Sequence, residues 1–472
     1  MLSCFLRRRA RGLRAPLCSG SIPTGFALSA ASSGCSKQRA RSAFSRVGAH
    51  ILLLIGSLAS VAATAQVSHP ADPLGAVLTL AHAEQELLRR NPSIAEAQKL
   101  RRALAHQAIA MAQLPDPQLG LMAQNVPVGS LSFAQGPNAM LSVGVSQEFP
   151  PFGERAAKGH LGQSRTDAQY FGLLATRAQK LLALRQTWAT AVYDRHAIAV
   201  LRHQQRLAQA SADAAIARVR AGDGTEADAL RAQAAVLSLK NSLLQARSLK
   251  IQADARIAEL LARPDVPRIA TQWPALPRPA SLATLEARLP GHPLVREAES
   301  RVQNSKAQVA IARSAYYPDV TVSGSYGQSY YPGMPNTVAV GISVSLPLFV
   351  GQRQDQQLAA AEDRVAAAQD ALEHRELQFH RRLQVAFAQY LQAQSEEQLT
   401  RTQLLPVAHA AFSASLADYR AGRIHLDNLL KAQARLLTYA LEDQQLRRAV
   451  VQAEAVLDYF ATRGASHHAS YR

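Results

Sequence analysis

Two segments of this chain are written to one plan, and that repetition limits the possible folds more than any other feature. Arg220-Ala221-Gly222 returns as Arg420-Ala421-Gly422, offset by 200 residues. At the same offset Leu230 matches Leu430, and Ala232-Gln233 matches Ala432-Gln433. Asn91-Pro92 is answered by His292-Pro293, Pro115-Asp116 by Pro318-Asp319, and Pro150 and Arg155 by Pro347 and Arg353. Such self-similarity marks a repeated supersecondary unit. One copy is assigned to residues 66–261 and the other to 281–461. Between them lies ARPDVPRIATQWPALPRPA, residues 262–280, whose five prolines predict an extended linker. Residues 462–472 form a short tail.

Each copy reads as helix, two strands, long helix, turn, shorter helix. In the first, a helix is predicted over residues 80–113, stopping before Pro115. From Gly153 to Ala221 there is no proline, and Leu173, Leu174, Leu181, Leu184, Trp188 and Ala191 recur at helical spacing. At 1.5 Å per residue this makes a rod of about 100 Å. Gly222 ends it, and a second helix runs over 225–261. The second copy repeats the pattern with helices over 281–315, 352–421 and 423–461, and Pro406 is expected to kink the long one. In each copy two short helices stacked end to end match one long partner, as in the wall of a helical cylinder.

The strand windows, about 117–149 and 318–347, are free of charge from Pro117 to Gln147 and from Val320 to Gln352. Val320, Val322, Gly324 and Tyr326 alternate with Thr321, Ser323, Ser325 and Gly327. Val338, Val340, Ile342, Val344 and Leu346 alternate with small residues, as do Leu141, Val143 and Val145. Period two with one apolar and one small or polar face suits a membrane barrel strand around a wet lumen. A soluble hairpin with one buried face has the same period. Tyr326, Tyr330, Tyr331, Phe133, Phe149 and Phe349 lie toward the strand ends, where interface aromatics belong. Four strands cannot close a barrel, and open edges do not survive in lipid. A membrane reading therefore requires several copies, and three would supply twelve strands.

Half of the formal charge of +18 comes from residues 1–65, which hold nine Lys/Arg and no acid, leaving 43 bases against 34 acids in the rest. Those bases are mixed with acids along helical faces, which argues against a nucleic-acid partner. Arg39, Arg41 and Arg46, the apolar run 51–63 and Ala63-Thr64-Ala65 follow the order of a secretory signal, predicting cleavage after Ala65. Cys4, Cys18 and Cys35 all precede that point, so the mature chain has no disulfide or thiolate site. No glycine-rich phosphate loop or zinc-type His/Glu spacing is present, so no catalytic, cofactor or metal site is predicted. The adjacent pair His467-His468 is read as incidental.

The doubled layout, the tips RVRAGDGTEADALRAQ and DYRAGRIHLDNLLKAQ, and YYPDVTVSGSYG leading to VGISVSLPLFVGQR resemble the TolC family of outer-membrane efflux proteins over residues 78–461. The resemblance implies a mainly α fold with a membrane β-barrel: a homotrimer with a twelve-stranded barrel and an α-helical periplasmic barrel. It further implies a passive exit duct of a tripartite pump, not an enzyme. A periplasmic adaptor would dock on the tips Arg220, Ala221, Gly222, Asp223 and Arg420, Ala421, Gly422, Arg423, and an inner-membrane RND transporter would supply the energy. Some relatives place acidic rings six and nine residues after the second tip glycine; here those positions are Asn428 and Lys431, with Asp427 adjacent and Asp228 at the matching place in the first copy. These four residues are the candidate periplasmic gate. Residues 114–159 look like the heavy-metal branch. A type I secretion or drug-efflux outlet on the same fold, and a periplasmic coiled-coil scaffold without a pore, are the alternatives.

Overall fold

The computed structural model describes residues 77–265 and 268–463; the expected leader with its cleavage after Ala65, and His467-His468, lie outside the described residues. The first copy comprises α1 (Leu80–Arg90), α2 (Pro92–Met111), β1 (Gln118–Gln124), β2 (Met140–Phe149), α3 (Glu154–Arg220) and α4 (Glu226–Leu260). The second comprises α5 (Leu282–Glu286), a 3₁₀ turn at Leu289–Gly291, α6 (Pro293–Ser314), β3 (Val320–Ser329), β4 (Thr337–Val344), α7 (Gln354–Leu399), a π turn at Thr400–Leu404, α8 (Leu405–Arg420) and α9 (Leu426–Ala461).

The single helix expected over 80–113 is two helices. Pro92 lacks an N–H and pushes the residue before it out of the α region, so Asn91 sits at ψ 123°. The break becomes a clamp. Asn91 Oδ1 accepts from the Ser93 N–H at 3.1 Å, and its amide donates to the Leu260 carbonyl at 2.8 Å. The start of α2 is thereby tied to the end of α4. The second copy breaks in the same place, with His292 as the cap of α6.

α3 is unbroken over 67 residues, about 100 Å at the standard rise. Its counterpart changes winding at Thr400–Leu404, just ahead of Pro406. Proline removes the bond that an α turn would make back to Thr402. The offset between matching residues also widens by one across this turn, from 199 at Leu184/Leu383 to 200 at Arg220/Arg420. A turn closed i→i+5 takes in one extra residue where an α turn closes i→i+4.

α3 is the hub. α2 and α4 of its own copy, and α6 and α9 of the other, pack along it. Small residues let the backbones approach: a Cβ on Gly162 would lie 2.5 Å from Ala108 Cα. One core cluster joins Leu87, Ile94, Leu184, Trp188 and Ile257; a second joins Val295, Phe379, Leu383, Leu457 and Phe460. Burying each such side chain contributes roughly 1.5–3 kcal/mol. Several charges inside the helical layer are paired: Arg263 grips Glu86 through two nitrogens at 2.6 and 2.7 Å, and Arg195 reaches Asp254 at 2.7 Å. Arg185 joins the copies, bonding Glu84 of α1 at 2.6 Å and also Asp458 of α9.

The segment after α4 is extended and pinned. Leu78 N–H donates to the Arg268 carbonyl at 2.7 Å, and Ala270 N–H to the Leu78 carbonyl at 3.0 Å. Trp273 stacks on His196 with ring centroids 5.5 Å apart.

The four strands form one antiparallel sheet in the order β1-β2-β3-β4, so the hairpins of the two copies meet at β2 and β3. Among the described residues no helix is long and apolar enough to cross a membrane.

Candidate functional site

Two regions carry the functional features: the sheet, and the opposite ends of the long helices. Register puts Leu119 beside Val145, Leu121 beside Val143, Val143 beside Tyr326, and Tyr326 beside Val338. Val145, Gly324 and Val340 make the next row. Every apolar residue of the alternation therefore lies on one face. That face is bare: Leu121 is 76% exposed and Val340 77%. The other face carries Gln118, Gly120, Ser142, Gly144, Ser323, Ser325, Gly327, Thr337 and Gly341. It is crowded, since a Cβ on Gly327 would meet Thr337 Oγ1 at 2.9 Å and Met140 Sδ at 3.0 Å. A sheet in water buries its apolar face; this one leaves it bare and keeps mostly small polar groups on the other, where Met122 and Met140 also lie. β1 and β4 each leave one edge unpaired within the chain. Of the aromatics, Phe133 and Tyr330 meet beyond the strands with centroids 5.9 Å apart, whereas Tyr326 lies within β3, its hydroxyl accepting from Asn336 at 2.7 Å.

At the other end the two helical turns are built alike. Gly222 at φ +83° and Gly422 at φ +74° occupy the left-handed region open to glycine. Gly222 N–H donates to the Val219 carbonyl and Asp223 N–H to that of Arg218, at 3.1 and 3.0 Å. Gly422 to Tyr419 and Arg423 to Asp418 repeat the pair at 3.1 and 2.9 Å. This is the Schellman closure, with helix-end carbonyls satisfied inside a tight turn. Thr225 Oγ1 then caps α4 by accepting from the Asp228 N–H at 3.2 Å, while His425 gives α9 no side-chain cap.

Sequence reasoning missed the cations that join these turns. Arg218 lies 5.0 Å from the centre of the Tyr419 ring, donates to the Tyr419 carbonyl at 3.3 Å and reaches the Asp223 carbonyl at 3.0 Å. One guanidinium thus braces both tips. Burial raises the Tyr419 phenol above its ordinary value; Arg218 opposes the shift and Asp228 adds to it. Arg231 stands 3.4 Å from Asp228 and 3.9 Å from Asp427, so the two acids read from sequence are brought around one base. Asn428 and Lys431 are exposed on the first turns of α9. The tip residues Arg220, Ala221, Gly222, Asp223, Arg420, Ala421, Gly422 and Arg423 are exposed as well. Among the described residues no three His, Cys, Asp or Glu side chains converge as metal ligands do.

This arrangement has known counterparts. The outer-membrane channel MtrE of Neisseria gonorrhoeae, solved in its open state, superposes with a TM-score of 0.68 at 19% identity, over 81% of this chain and 88% of that one. The cobalt-zinc-cadmium resistance protein CzcC of Cupriavidus metallidurans is 22% identical over 347 residues, 73% of this chain and 80% of that protein. The nickel and cobalt resistance protein CnrC of the same organism is 28% identical over 316 residues, 65% of this chain and 72% of that protein. A sequence model of the outer membrane efflux protein family matches twice, over residues 83–263 and again over 285–460. Both halves of the duplication being recognised separately, the chain belongs to the outer membrane efflux protein family.

Proposed function

We propose that the chain is one of three subunits of a passive exit duct that passes heavy-metal cations across the outer membrane. The observation that carries this is the sheet. Its apolar face has nothing to bury against in water, and its open edges cannot face lipid unpaired. Three copies edge to edge give a twelve-stranded closed barrel with Ser, Thr and Gly lining a wet lumen. The helical rods extend the path into the periplasm.

The RND transporter of the inner membrane drives export, and the duct adds no energy. The periplasmic adaptor docks on the exposed tips around Gly222 and Gly422. Arg231, held between Asp228 and Asp427, and Arg218, held on Tyr419, keep the mouth shut until docking shifts the equilibrium to the open form. Heavy-metal cargo is supported by the names of the two resistance proteins and by the resemblance of residues 114–159 to that branch. No chemistry is done on the cargo, and no cofactor is needed.

Planar-bilayer recording of the purified mature chain tests the duct: discrete conductance steps are expected. A silent, detergent-independent monomer overturns it and favours the coiled-coil scaffold. For cargo, a strain lacking the gene should become sensitive to cobalt, zinc or cadmium; sensitivity confined to hydrophobic drugs points to the drug-efflux outlet instead.

A further inference from the structure

α3 and α9 belong to different copies and pack along one another. Partway along this junction two complementary groups are buried without meeting. Asp194 of α3 is 4% exposed, and its Oδ2 has no hydrogen-bond partner. Arg448 of α9 has a buried Nε, also without a partner. Both atoms are closed to water. The Arg448 charge acts on Asp194 more strongly than any other, yet among the described residues no ion pair joins the two. The guanidinium lies instead on the Tyr193 ring, 4.5 Å from its centre.

A buried carboxylate without a partner is costly. The other bases nearby are taken. Arg195 bonds Asp254 Oδ1 at 2.7 Å and Lys250 bonds Asp254 Oδ2 at 2.6 Å, so one acid of α4 holds both. Arg256 pairs with Glu259. Of the described bases around Asp194, Arg448 is the one no other carboxylate holds. Burial lifts the Asp194 carboxyl to about 6, with Arg448 and Arg195 opposing and Asp254 adding to the shift, so at neutral pH it carries its charge.

The fold does not require this pair. The matching positions in the other copy are Ala393, 199 residues after Asp194, and Ser248, 200 before Arg448. Ala393 is 8% exposed, so the corresponding helix packs at that depth with no charge. Room for a second arrangement is present. A cavity of about 580 Å³ lies between α3, α4 and α9, and Tyr193, Asp194, Arg448 and Gln452 all line it. One turn from Arg448, Gln452 Nε2 donates to the Gln186 carbonyl at 3.2 Å and to Thr190 Oγ1 at 3.1 Å. At this level α9 is therefore held on α3 by neutral partners, while the carboxylate next to Tyr193 in sequence, about 100° away around the helix, is left over.

We infer that α9 has two seats on α3, exchanged by Arg448: on the Tyr193 ring in the state described, and on the Asp194 carboxylate in a second. A planar guanidinium stacks on a ring or forks onto a carboxylate, so one side chain serves both. α9 begins at Leu426 beside the second tip, with Asp427 in its first turn. A change of seat is carried along this helix to the mouth. This rests on the duct proposed above, in which the described mouth is shut, and assigns the Asp194 seat to the open form.

Single-channel recording in planar bilayers tests it on the mature chain. Asp194→Asn removes the partner of the open seat and should lower the open-to-shut ratio about tenfold or more. Tyr193→Leu removes the partner of the shut seat and should raise the ratio. Lost packing alone does not give neighbouring residues opposite signs. A ratio that moves the same way in both variants, or stays unchanged in either, overturns the inference. Where a variant fails to assemble, Thr190→Cys with Gln452→Cys decides. No cysteine follows Cys35, so a short, reducible bifunctional thiol linker joins this pair without background. Linked channels should stay shut and reopen on reduction. Linked channels that open as the parent does overturn the two seats while leaving the duct intact; a parent chain that never conducts overturns the duct reading itself.

Discussion

The clamps at the starts of α2 and α6 have the same geometry and different chemistry. In the first copy Asn91 caps its helix and donates to the Leu260 carbonyl. In the second, His292 caps through Nδ1, which accepts from the Leu294 N–H at 3.2 Å. The imidazole is fully buried between Phe379 and Tyr459, with centroids 4.8 and 4.9 Å away. Burial drives its pKa from 6.5 down to about 4, and the Tyr459 backbone offsets only part of this. An amide does not titrate. The same joint is therefore indifferent to pH in one copy and sensitive in the other. The duplication has kept the position of the break and the path of the chain while leaving the capping group free to change.

The largest expected effect contrasts the two cores. Trp188 is 1% exposed at the centre of the first copy, whereas Phe387, at the matching place in the second, is half-buried. Trp188→Ala should cost about 3–5 kcal/mol and Phe387→Ala less than half of that, read by denaturant unfolding in detergent. Equal losses would show that the copies are equally packed.

Next comes the clamp. Above pH 6.5 His292 is neutral in both states. Between 6.5 and about 4 only the unfolded chain takes up the proton, so stability falls as pH falls; below about 4 both states are protonated and the loss stops. The loss is about 3 kcal/mol across that window. His292→Asn, which imports the first copy's cap, should flatten the His-linked slope. A slope unchanged in the variant would remove His292 as its source.

Gly162→Ala forces α2 off α3 at Ala108 and should cost about 1–3 kcal/mol. Gly172→Ala, on the same helix, meets only Glu297 Cδ at 3.9 Å and should gain up to about 1 kcal/mol from helix propensity. Smallest is the cap at the tips: Thr225→Ala should cost about 1 kcal/mol, and His425→Thr should return a similar amount to the second tip. Both are read as shifts in melting temperature, and a His425→Thr variant no more stable than its parent would show that the second turn is held by other contacts.

Much of this was legible in sequence because it is local. The glycine that ends each long helix, the proline-free rod and the period-two windows follow from backbone chemistry within a few residues. The α1–α2 break was signalled by Asn91-Pro92, and the π turn by the widening offset between copies, neither of which a periodicity count registers. Arg218, Arg231 and Arg185 were not legible. Their partners lie up to 273 residues away, and an arginine on a helix face looks alike whether it meets solvent, a ring or a carboxylate. The acids Asp228 and Asp427 were named, but not the base that gathers them.

The bare face of the sheet also sets an order of events. The helices find partners within their own chain, so they can form while the polypeptide is still in the aqueous periplasm. The strands gain nothing by forming there, since water is a poor neighbour for both Leu121 and Val340. For the duct proposed above, maturation runs from the rods toward the sheet, with the bilayer acting as the last ingredient of folding and not merely its destination.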